Sequence, residues 1–384
     1  MPGPRTTAAL VGALLGLPLA SELRVARAVR PLTSRWQSVG VVARNSTLLG
    51  ISFRPPQVDA QGLDPRRSLA TLLDYPFQLI RLGAYWNRIE PVAGRLSFDD
   101  LDWQVDAAER AGKQIILAVG ALKTFGYPEF FVPPHRLARP LREGRLIQPA
   151  QHAALFDAAT TFVGAIVERY RDRPAIAAWQ VEHEAVDPLG MEHSWRLGTA
   201  FVEAEVQAVR RADPRRPILL NGFLPMSLAV GMQQWWRTRD QGDSLAVAIR
   251  VADMVGLDVY ACHGLVSLGG LTLYLDGGRR PWQRWARNRL FARAQAAGRK
   301  LLITEGQAEP WETVTTPPDP RQAVMFSCPP ERLIDNYNQC LGWSRRRSLA
   351  LYAYLFWGAE YWLLRARSGD PSYLRAFARV LESS

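Results

Sequence analysis

The chain has 384 residues, of which 48% are hydrophobic and 22% are charged, so it can bury the core of an ordinary globular protein. The formal net charge is +11, and Lys113, Lys123 and Lys300 are its only lysines. Such a balance is compatible with an anionic membrane surface, an anionic polymer or a nucleic acid, but no nucleic-acid-binding module is present, so we expect no nucleic-acid partner. Two arginine clusters stand out: Arg279, Arg280, Arg284, Arg287, Arg289 and Arg293, then Arg345, Arg346 and Arg347.

The N-terminal residues have the pattern of a targeting signal. Arg5 precedes an apolar run from Thr7 to Ala20, which has the length of a signal peptide and is short for a bilayer span. We interpret residues 1–22 as a signal peptide or anchor, which predicts a secreted or cell-envelope protein; a non-targeting helix would leave it cytoplasmic. The arginine-rich residues 23–46 are interpreted as a linker, and residues 47–384 as one folded domain.

The sequence lacks the motifs of several common kinds of functional site. Cys262, Cys328 and Cys340 are odd in number and lack a C-x-x-C spacing, which argues against a zinc site and a disulfide framework. The five histidines are scattered, and there is no Walker, G-x-G-x-x-G or G-x-S-x-G motif. We therefore expect no metal, no nucleotide cofactor and no Ser–His–Asp triad.

After residue 46, apolar runs alternate with amphipathic patterns of helical period. Eight such units in one chain predict an α/β fold, a single (β/α)8 barrel with long loops after its strands, rather than an open doubly wound sheet. The predicted strands are Leu48–Phe53, Gln78–Gly83, Gln114–Gly120, Ile176–Val181, Ile218–Gly222, Met254–Tyr260, Lys300–Thr304 and Ser348–Phe356.

Two helices illustrate the predicted patterns. The helix before the third strand is predicted to have Ser97 as its N-cap, Val105 on its buried face and Gly112 at its end. The helix before the fifth strand is predicted to bury Val206 and to expose Glu205.

Long insertions follow the third, sixth and seventh strands, at residues 121–151, 261–280 and 307–330. In a barrel they lie at the C-terminal ends of the strands, where active sites are found. The apolar, glycine-rich segment 264–275 is compatible with a substrate lid, a hairpin or a membrane-touching loop, and the sequence does not choose among them.

Two glutamates at the ends of buried strands indicate chemistry. Glu184 closes the run that begins at Ile176, and Glu305 closes the run that begins at Lys300. The ends of the fourth and seventh strands face each other across a barrel mouth, so the pair could act as general acid and nucleophile on a glycosidic bond. Either glutamate alone is usually a solvated carboxylate at a loop edge. We assign no catalytic role to Glu182.

Five segments resemble the strand regions of clan A glycoside hydrolases and occur in the same order. The resemblance is closest to the β-galactosidase-like and cellulase-like families. The similarity spans about residues 48–365 and implies a retaining hydrolase of O-glycosidic bonds in a catalytic domain of residues 47–384. The segments are IRLGAYWNRIEPVAGRLSF from Ile80, WQVEHE from Trp179, DMVGLDVY from Asp253, ITE from Ile303 and FWGAEYW from Phe356.

The resemblance assigns roles to individual residues. Glu184 would be the acid/base and Glu305 the nucleophile, and Arg81 would hold Glu305 ionised through a charge-assisted hydrogen bond. Tyr260 would donate to the same carboxylate, and Trp357 would form the platform under the sugar. The alternatives are a buried Arg81–Tyr260 pair that satisfies backbone groups, and ordinary core packing of Trp357.

Trp86 and Trp311 are weaker candidates for sugar binding, because their loops could place them anywhere around the mouth. His183 stands where these families usually carry an asparagine that binds the sugar 2-hydroxyl. A histidine can donate the same hydrogen bond, so the mechanism is retained while the identity of the sugar is left open.

We therefore expect an oligo- or polysaccharide substrate that is cleaved by double displacement. The first alternative is a weakly active or inactive carbohydrate-binding barrel at the cell envelope. The second is an adaptor that binds membranes or nucleic acids through the arginine clusters. The sugar, the linkage and the choice between endo- and exo-cleavage are not encoded in a readable form.

Overall fold

Eight parallel strands form a closed barrel in the computed structural model, which describes residues 19–141, 144–187, 195–277, 280–312, 317–345 and 350–383. Each strand pairs with its neighbours in sequence, and the last strand closes on the first. The predicted (β/α)8 barrel is thus confirmed, with its strands in the predicted places; Ser348 lies outside the described residues. The strands are β1 (Leu48–Ser52), β2 (Leu79–Gly83), β3 (Gln114–Ala118), β4 (Ile176–Gln180), β5 (Ile218–Phe223), β6 (Met254–Val259), β7 (Lys300–Gln307) and β8 (Leu351–Trp357).

Helices cover the outside of the barrel, as a sheet of apolar parallel strands requires. They are Pro55–Ala60, Pro65–Leu73, Trp86–Ile89, Asp99–Arg110, Ala153–Tyr170, Thr199–Ala212, Leu228–Thr238, Ser244–Val251, Pro281–Ala296, Pro330–Arg345, Ala359–Arg367 and Ser372–Ser383, with short 3-10 helices at Arg35–Gln37 and Pro134–Arg136.

A separate apolar cluster takes side chains from seven of the eight barrel strands. Side chains drawn from strands all around a barrel can meet only in its interior, so this layer plugs the barrel. Its members are Leu79, Ile116, Ala178, Leu219, Met254, Leu302, Ala353 and Leu355.

Two details of the helix predictions are wrong. Helix Asp99–Arg110 buries Val105 as predicted, but its N-cap is Phe98; the Ser97 hydroxyl donates to the Asp99 carboxylate at 3.2 Å. Glu205 is fully buried, although it was predicted to face solvent. Its carboxyl group finds a hydrogen-bonding partner inside the protein, which a helical period alone does not reveal.

The predicted linker at residues 23–46 is also wrong, because this segment forms part of the folded domain. Strand Leu23–Arg27 pairs antiparallel with strand Leu271–Asp276, which in turn pairs with Cys262–Leu268. The segment 264–275 is therefore a hairpin. The residues Leu-Arg-Val-Ala-Arg alternate with the period of a strand, and their arginine content obscured that signal. The remaining short strands, paired two by two, are Val29–Pro31 with Ala323–Met325 and Leu146–Ile147 with Arg196–Leu197.

Glu22 anchors this N-terminal strand. Its buried carboxylate accepts hydrogen bonds from the backbone N–H of Leu228 at 2.9 Å, the Trp282 indole at 3.0 Å and the Gln283 amide at 2.6 Å. The hairpin follows β6, so the sheet that it forms with the N-terminal strand lies at the C-terminal end of the barrel. Within the part of the chain that the structure describes, no helix is both long and apolar enough to cross a bilayer.

Candidate active site

Polar side chains from several strands meet at the C-terminal mouth of the barrel. Arg81 lies in β2, Asp258 in β6 and Glu305 in β7, while Glu184 and Tyr260 follow the ends of β4 and β6. The C-terminal ends of parallel barrel strands open onto one mouth, and so the two predicted catalytic glutamates come together there with Arg81 and Tyr260.

Two donors hold Glu305. Arg81 donates from Nη1 to Oε1 at 2.8 Å, and the Tyr260 hydroxyl donates to Oε2 at 2.6 Å. Arg81 is itself immobilised, because its Nε donates to Gln180 Oε1 at 2.7 Å and its guanidinium lies 4.0 Å from the centre of the Phe125 ring. One carboxylate oxygen is thus bound by a cation and the other by a phenol, which fixes the orientation of the group.

The chain leaves β4 through a strained turn. Glu182 and Glu184 both have left-handed backbone conformations, with φ of 55° and 44°. The Glu182 carboxylate supports this turn, since it accepts hydrogen bonds from the backbone N–H groups of Leu122 at 2.9 Å and Lys123 at 2.5 Å. Gly120 is needed beside it, because a Cβ there would lie 2.1 Å from the Glu182 nitrogen. Non-glycine residues in this conformation concentrate at functional sites.

Glu184 lies in an environment that favours its protonated form. Burial raises the pKa of its carboxyl well above the usual value, and the nearby carboxylates of Asp258, Glu129 and Glu305 raise it further. A general acid must hold a proton near neutral pH, so this shift suits the role predicted for Glu184.

Asp258 is a third buried carboxyl in the mouth. It accepts a hydrogen bond from the Asn221 amide at 2.5 Å and another from the Thr304 hydroxyl at 2.6 Å, and it shares a hydrogen bond with Glu184. Burial raises the pKa of Asp258 as well, and the charge of Glu305 adds to the shift. Glu184 and Asp258 therefore cannot both be charged at low cost, and the pair retains a proton.

His183 is oriented by the same network. Its Nδ1 is 2.9 Å from the Asn221 amide nitrogen and 3.4 Å from Arg81 Nη2. The Asn221 amide oxygen accepts from Gln180, so its nitrogen is the group that faces the ring. Two donors thus point at Nδ1, which places the ring proton on Nε2.

The His183 imidazole is also uncharged, and it lies near both glutamates. Burial lowers the pKa of His183 well below its usual value, and the charges of Arg81 and Lys123 lower it further. Nδ1 lies 3.6 Å from Glu305 Oε1, and a ring nitrogen is within 4.8 Å of a Glu184 carboxylate oxygen. One imidazole therefore lies beside both glutamates.

Two of the predicted tryptophans lie at the mouth. Trp357 ends β8 and packs with Phe125 and Tyr260, and the Arg54 guanidinium lies 4.1 Å from its ring centre. Trp311 contacts Tyr260 edge-on, with ring centroids 5.4 Å apart. Arg54 therefore covers part of the Trp357 ring.

The structure contradicts the predicted contact between Trp86 and the substrate. Its side chain is only 1% exposed in helix Trp86–Ile89, where its indole donates to Glu90 at 2.8 Å and stacks on Phe162 at 5.2 Å. Its ring fills the core outside the mouth, because a full hydrogen bond and a stacking partner are available there.

Two groups of side chains in the mouth come close enough to suggest a metal. Glu129, His183 and Glu184 form one, and His183, Asp258 and Glu305 form the other, with ligand atoms within 4.8 Å of one another in each group. However, His183 Nδ1 already accepts from two donors. A guanidinium also occupies one oxygen of Glu305, so a metal cation would meet a fixed positive charge. The donor set does not suit a cation, and the expected lack of a metal stays a prediction.

Sequence reasoning missed several residues of the mouth. Asp258 and Asn221 are polar residues inside otherwise apolar strands, and this signal could have identified them. Gln180 could have been found in the same way. Glu129 lies in the long insertion after β3, where neither period nor motif marks it.

Comparison with known proteins gives one sequence family and one fold. Residues 69–201 match the glycoside hydrolase family described as β-galactosidase. A β-galactosidase of Geobacillus kaustophilus is 30% identical over 115 residues, which cover 28% of this chain and 17% of that protein. The chain therefore matches only about a sixth of the length of this relative.

Solved structures resemble almost the whole barrel. Xylanase 10B of Thermotoga maritima superposes with a TM-score of 0.55 at 14% identity, covering 88% of this chain and 96% of that one. The glycoside hydrolase GH5_18 of Streptomyces cattleya, solved in complex with GlcNAc, gives a TM-score of 0.55 at 15% identity, covering 89% and 80%. The predicted resemblance to clan A glycoside hydrolases is confirmed in sequence over residues 69–201 and in fold over most of the chain.

Proposed function

We propose that this protein is a retaining glycoside hydrolase that cleaves O-glycosidic bonds of oligo- or polysaccharides. The observation that carries the proposal is that Glu184 and Glu305 both lie close to one buried imidazole but have different surroundings. Glu305 is bound by Arg81 and Tyr260, whereas burial and neighbouring carboxylates favour a proton on Glu184. This difference is what a nucleophile and an acid/base require.

In the first step, a Glu305 oxygen attacks the anomeric carbon and the bond to the leaving oxygen breaks. Glu184 gives its proton to that oxygen, so the leaving group departs as a neutral alcohol. In the second step, Glu184 removes a proton from water, whose oxygen displaces Glu305 from the anomeric carbon. Esterification removes one negative charge beside Glu184, which lowers its pKa when it must act as a base.

The substrate is proposed only as a class. One similar structure, xylanase 10B of Thermotoga petrophila with a TM-score of 0.52, is a complex with xylobiose, and GH5_18 of Streptomyces cattleya is a complex with GlcNAc. For this chain we propose that His183 donates from Nε2 to a hydroxyl beside the anomeric carbon, and that Trp311 and Trp357 contact the sugar rings. The apolar run at Thr7–Ala20 supports a location outside the cytoplasm, as a secreted or envelope protein.

The Glu305→Gln variant tests the nucleophile. Removing the attacking oxygen should reduce turnover of an active aryl glycoside by at least about 10³-fold, with the fold unchanged by circular dichroism. A 2-deoxy-2-fluoro glycoside of the same sugar should label wild-type Glu305, detected by peptide mass, and NMR of the first product should show retained configuration. Wild-type turnover by Glu305→Gln, or an inverted product, would contradict the proposal.

An inactive carbohydrate-binding barrel is the second candidate, and the burial of the side chains in the mouth favours it. Glu184 is 8% exposed, Glu305 is 2% exposed and Trp357 is 7% exposed. Calorimetric binding of a glycan without turnover, across glucosides, galactosides, mannosides and their polymers, would select this second candidate.

A further inference from the structure

The outer side of the three-stranded sheet at the barrel mouth is aliphatic. In antiparallel strands, directly paired residues point to the same side of the sheet. Val25 pairs with Leu273, which pairs with Val266, while Arg27 pairs with Leu271, which pairs with Leu268. We call this side the outer sheet face; it comprises Leu23, Val25, Arg27, Val266, Leu268, Leu271 and Leu273.

The opposite side of the same sheet is already packed. Ala26 and Tyr274 lie on it and form a buried cluster with Phe326, whose ring centroid is 4.5 Å from that of Tyr274. Leu275, which pairs with Leu23, is buried, but the rest of the outer sheet face is uncovered within the described residues: Leu268 is 85% exposed, Val25 63% and Val266 60%. A contiguous aliphatic surface of this kind marks an interaction site more often than an ordinary surface.

Positive charge lies beside this apolar face. Arg27 belongs to the face, and Arg24 and Arg30 are exposed next to it, where their guanidinium groups lie over the Phe326 ring of the opposite side. The nearby acid Asp276 is engaged by Arg24 at 3.4 Å and by Arg332 at 2.9 Å. The local balance is therefore cationic, like that of the whole chain at +11. Aliphatic side chains beside exposed arginines match a bilayer that has an apolar interior and anionic headgroups.

The sequence before the strand leads to the same surface. The apolar run Thr7–Ala20 ends two residues before strand Leu23–Arg27. An extended residue advances the chain by only about 3.3 Å, so a bilayer that took up the run would lie within about 15 Å of the outer sheet face.

A neighbouring helix adds residues typical of a membrane interface. Helix Leu228–Thr238, whose first N–H is bound by Glu22, exposes Met232, Trp235 and Trp236 at successive positions of one helical side. Tryptophan is enriched at the level of lipid headgroups, where its ring is apolar and its N–H can bond to water.

We propose that the outer sheet face docks the protein onto an anionic lipid surface. A second copy of the chain is a weaker occupant, because a face-to-face pair would bring Arg27 of both copies into a partly desolvated contact. The docking does not depend on the hydrolase activity, and a failure of one proposal leaves the other standing.

The experiment places a reporter on the face of the full-length chain. Val266→Cys is labelled with the environment-sensitive dye NBD, and the native cysteines are buried. Vesicles of phosphatidylglycerol and phosphatidylcholine in equal amounts should shift its emission to the blue, whereas pure phosphatidylcholine should not. Val92→Cys is the matched control, because Val92 is 55% exposed on the loop after β2 and should show no shift.

A second variant checks the energetic contribution of the face. Val266→Asp combined with Leu268→Asp should weaken vesicle binding at least about tenfold, since two aliphatic contacts are lost and two negative charges are added. The circular dichroism spectra of both variants should match that of the wild type, which would establish that they fold. Sedimentation with vesicles without an NBD shift at position 266 would overturn the proposal, because the apolar run alone would then bind. A shift that needs no vesicles but rises with protein concentration would overturn it in favour of a second copy.

Discussion

His183 shows how one side chain can be set by its neighbours. Asn221 and Arg81 both direct donors at Nδ1, and burial disfavours the charged ring. The histidine thus presents an N–H to the mouth, as the amide of an asparagine would. A histidine in place of the asparagine keeps the N–H donor but changes the shape of the side chain. It should therefore alter which sugar fits more than it alters the catalytic mechanism.

We therefore predict a neutral His183 with its proton on Nε2. In ¹⁵N-labelled protein, the Nδ1 resonance should have the shift of an unprotonated nitrogen, and it should not titrate between about pH 5 and 8. His152, which is partly buried on the outside of the barrel, serves as an internal comparison. A titration of His183 near neutral pH would show that the donors at Nδ1 are not in place.

Asp258 is predicted to set the pH range of activity through Glu184. Activity requires protonated Glu184, and the charge of Asp258 helps to keep that proton in place. Replacing the carboxylate by an amide removes this contribution, and the pKa of Glu184 then falls. In Asp258→Asn, the alkaline limb of kcat/KM should move to lower pH by about one unit.

The control for this prediction is Asp187→Asn. Asp187 is also buried, but it contributes least among the carboxylates that raise the pKa of Glu184. A pH profile that moves equally in both variants, or does not move in Asp258→Asn, would contradict a specific role for Asp258.

At the scale of residues, the sequence revealed the two glutamates because a carboxyl at the end of an apolar strand is conspicuous. Trp86 was misplaced, since an aromatic residue in a motif carries no information about which way its ring points. Asp258 was overlooked even though it lies within the quoted motif of β6. Its importance comes from three-dimensional neighbours that are distant in sequence.

At the scale of elements, a buried acid pair connects the turn after β4 to helix Thr199–Ala212. Glu205 donates its proton to Glu182, whose carboxylate accepts from the backbone of Leu122 and Lys123. Burial and the charge of Glu182 raise the pKa of Glu205 well above its usual value. The helix Thr199–Ala212 thus holds the turn that carries Glu184.

This pair predicts a stability effect that depends on pH. A carboxyl with a raised pKa in the folded state contributes stability below its unfolded pKa of about 4.3, and this stability is lost as pH rises toward the folded pKa. The amide of Glu205→Gln can donate to Glu182 at every pH. We expect its free energy of unfolding to exceed that of the wild type by about 1–2 kcal/mol at pH about 9, with a smaller difference at pH about 5.

Urea unfolding at the two pH values measures this difference. Glu203→Gln, on the same helix but paired with Arg250 at the surface, is the control and should show little dependence on pH. A Glu205→Gln variant that is less stable than the wild type at pH about 9 would show that the pair does not share a proton.

At the scale of the whole molecule, the eight-unit barrel could be predicted because each strand and each helix follows its own period. The N-terminal strand could not, because it is stabilised by a hairpin about 240 residues away in sequence, and no local pattern records such a pairing. Its alternation was visible, but the arginines on both sides of it resembled a solvated linker.

Glu22 should therefore matter for the stability of the whole domain. In Glu22→Ala, the Leu228 N–H, the Trp282 indole and the Gln283 amide lose their shared acceptor. We expect the free energy of unfolding to fall by about 2–4 kcal/mol, and trypsin to cleave faster at Arg24 or Arg27. Glu168→Ala, which changes an exposed acid on helix Ala153–Tyr170, should leave both quantities unchanged. Unchanged stability in Glu22→Ala would show that the strand is not an integral part of the fold.

The last helix contacts the segment that precedes β1. Arg379, in helix Ser372–Ser383, donates to the backbone oxygen of Trp36 at 2.8 Å, and it also donates to that of Gln37. The last helix and the segment between the N-terminal strand and β1 are therefore held together on the outside of the barrel. Because one side chain joins them, local unfolding of the last helix should also release the segment Arg35–Gln37.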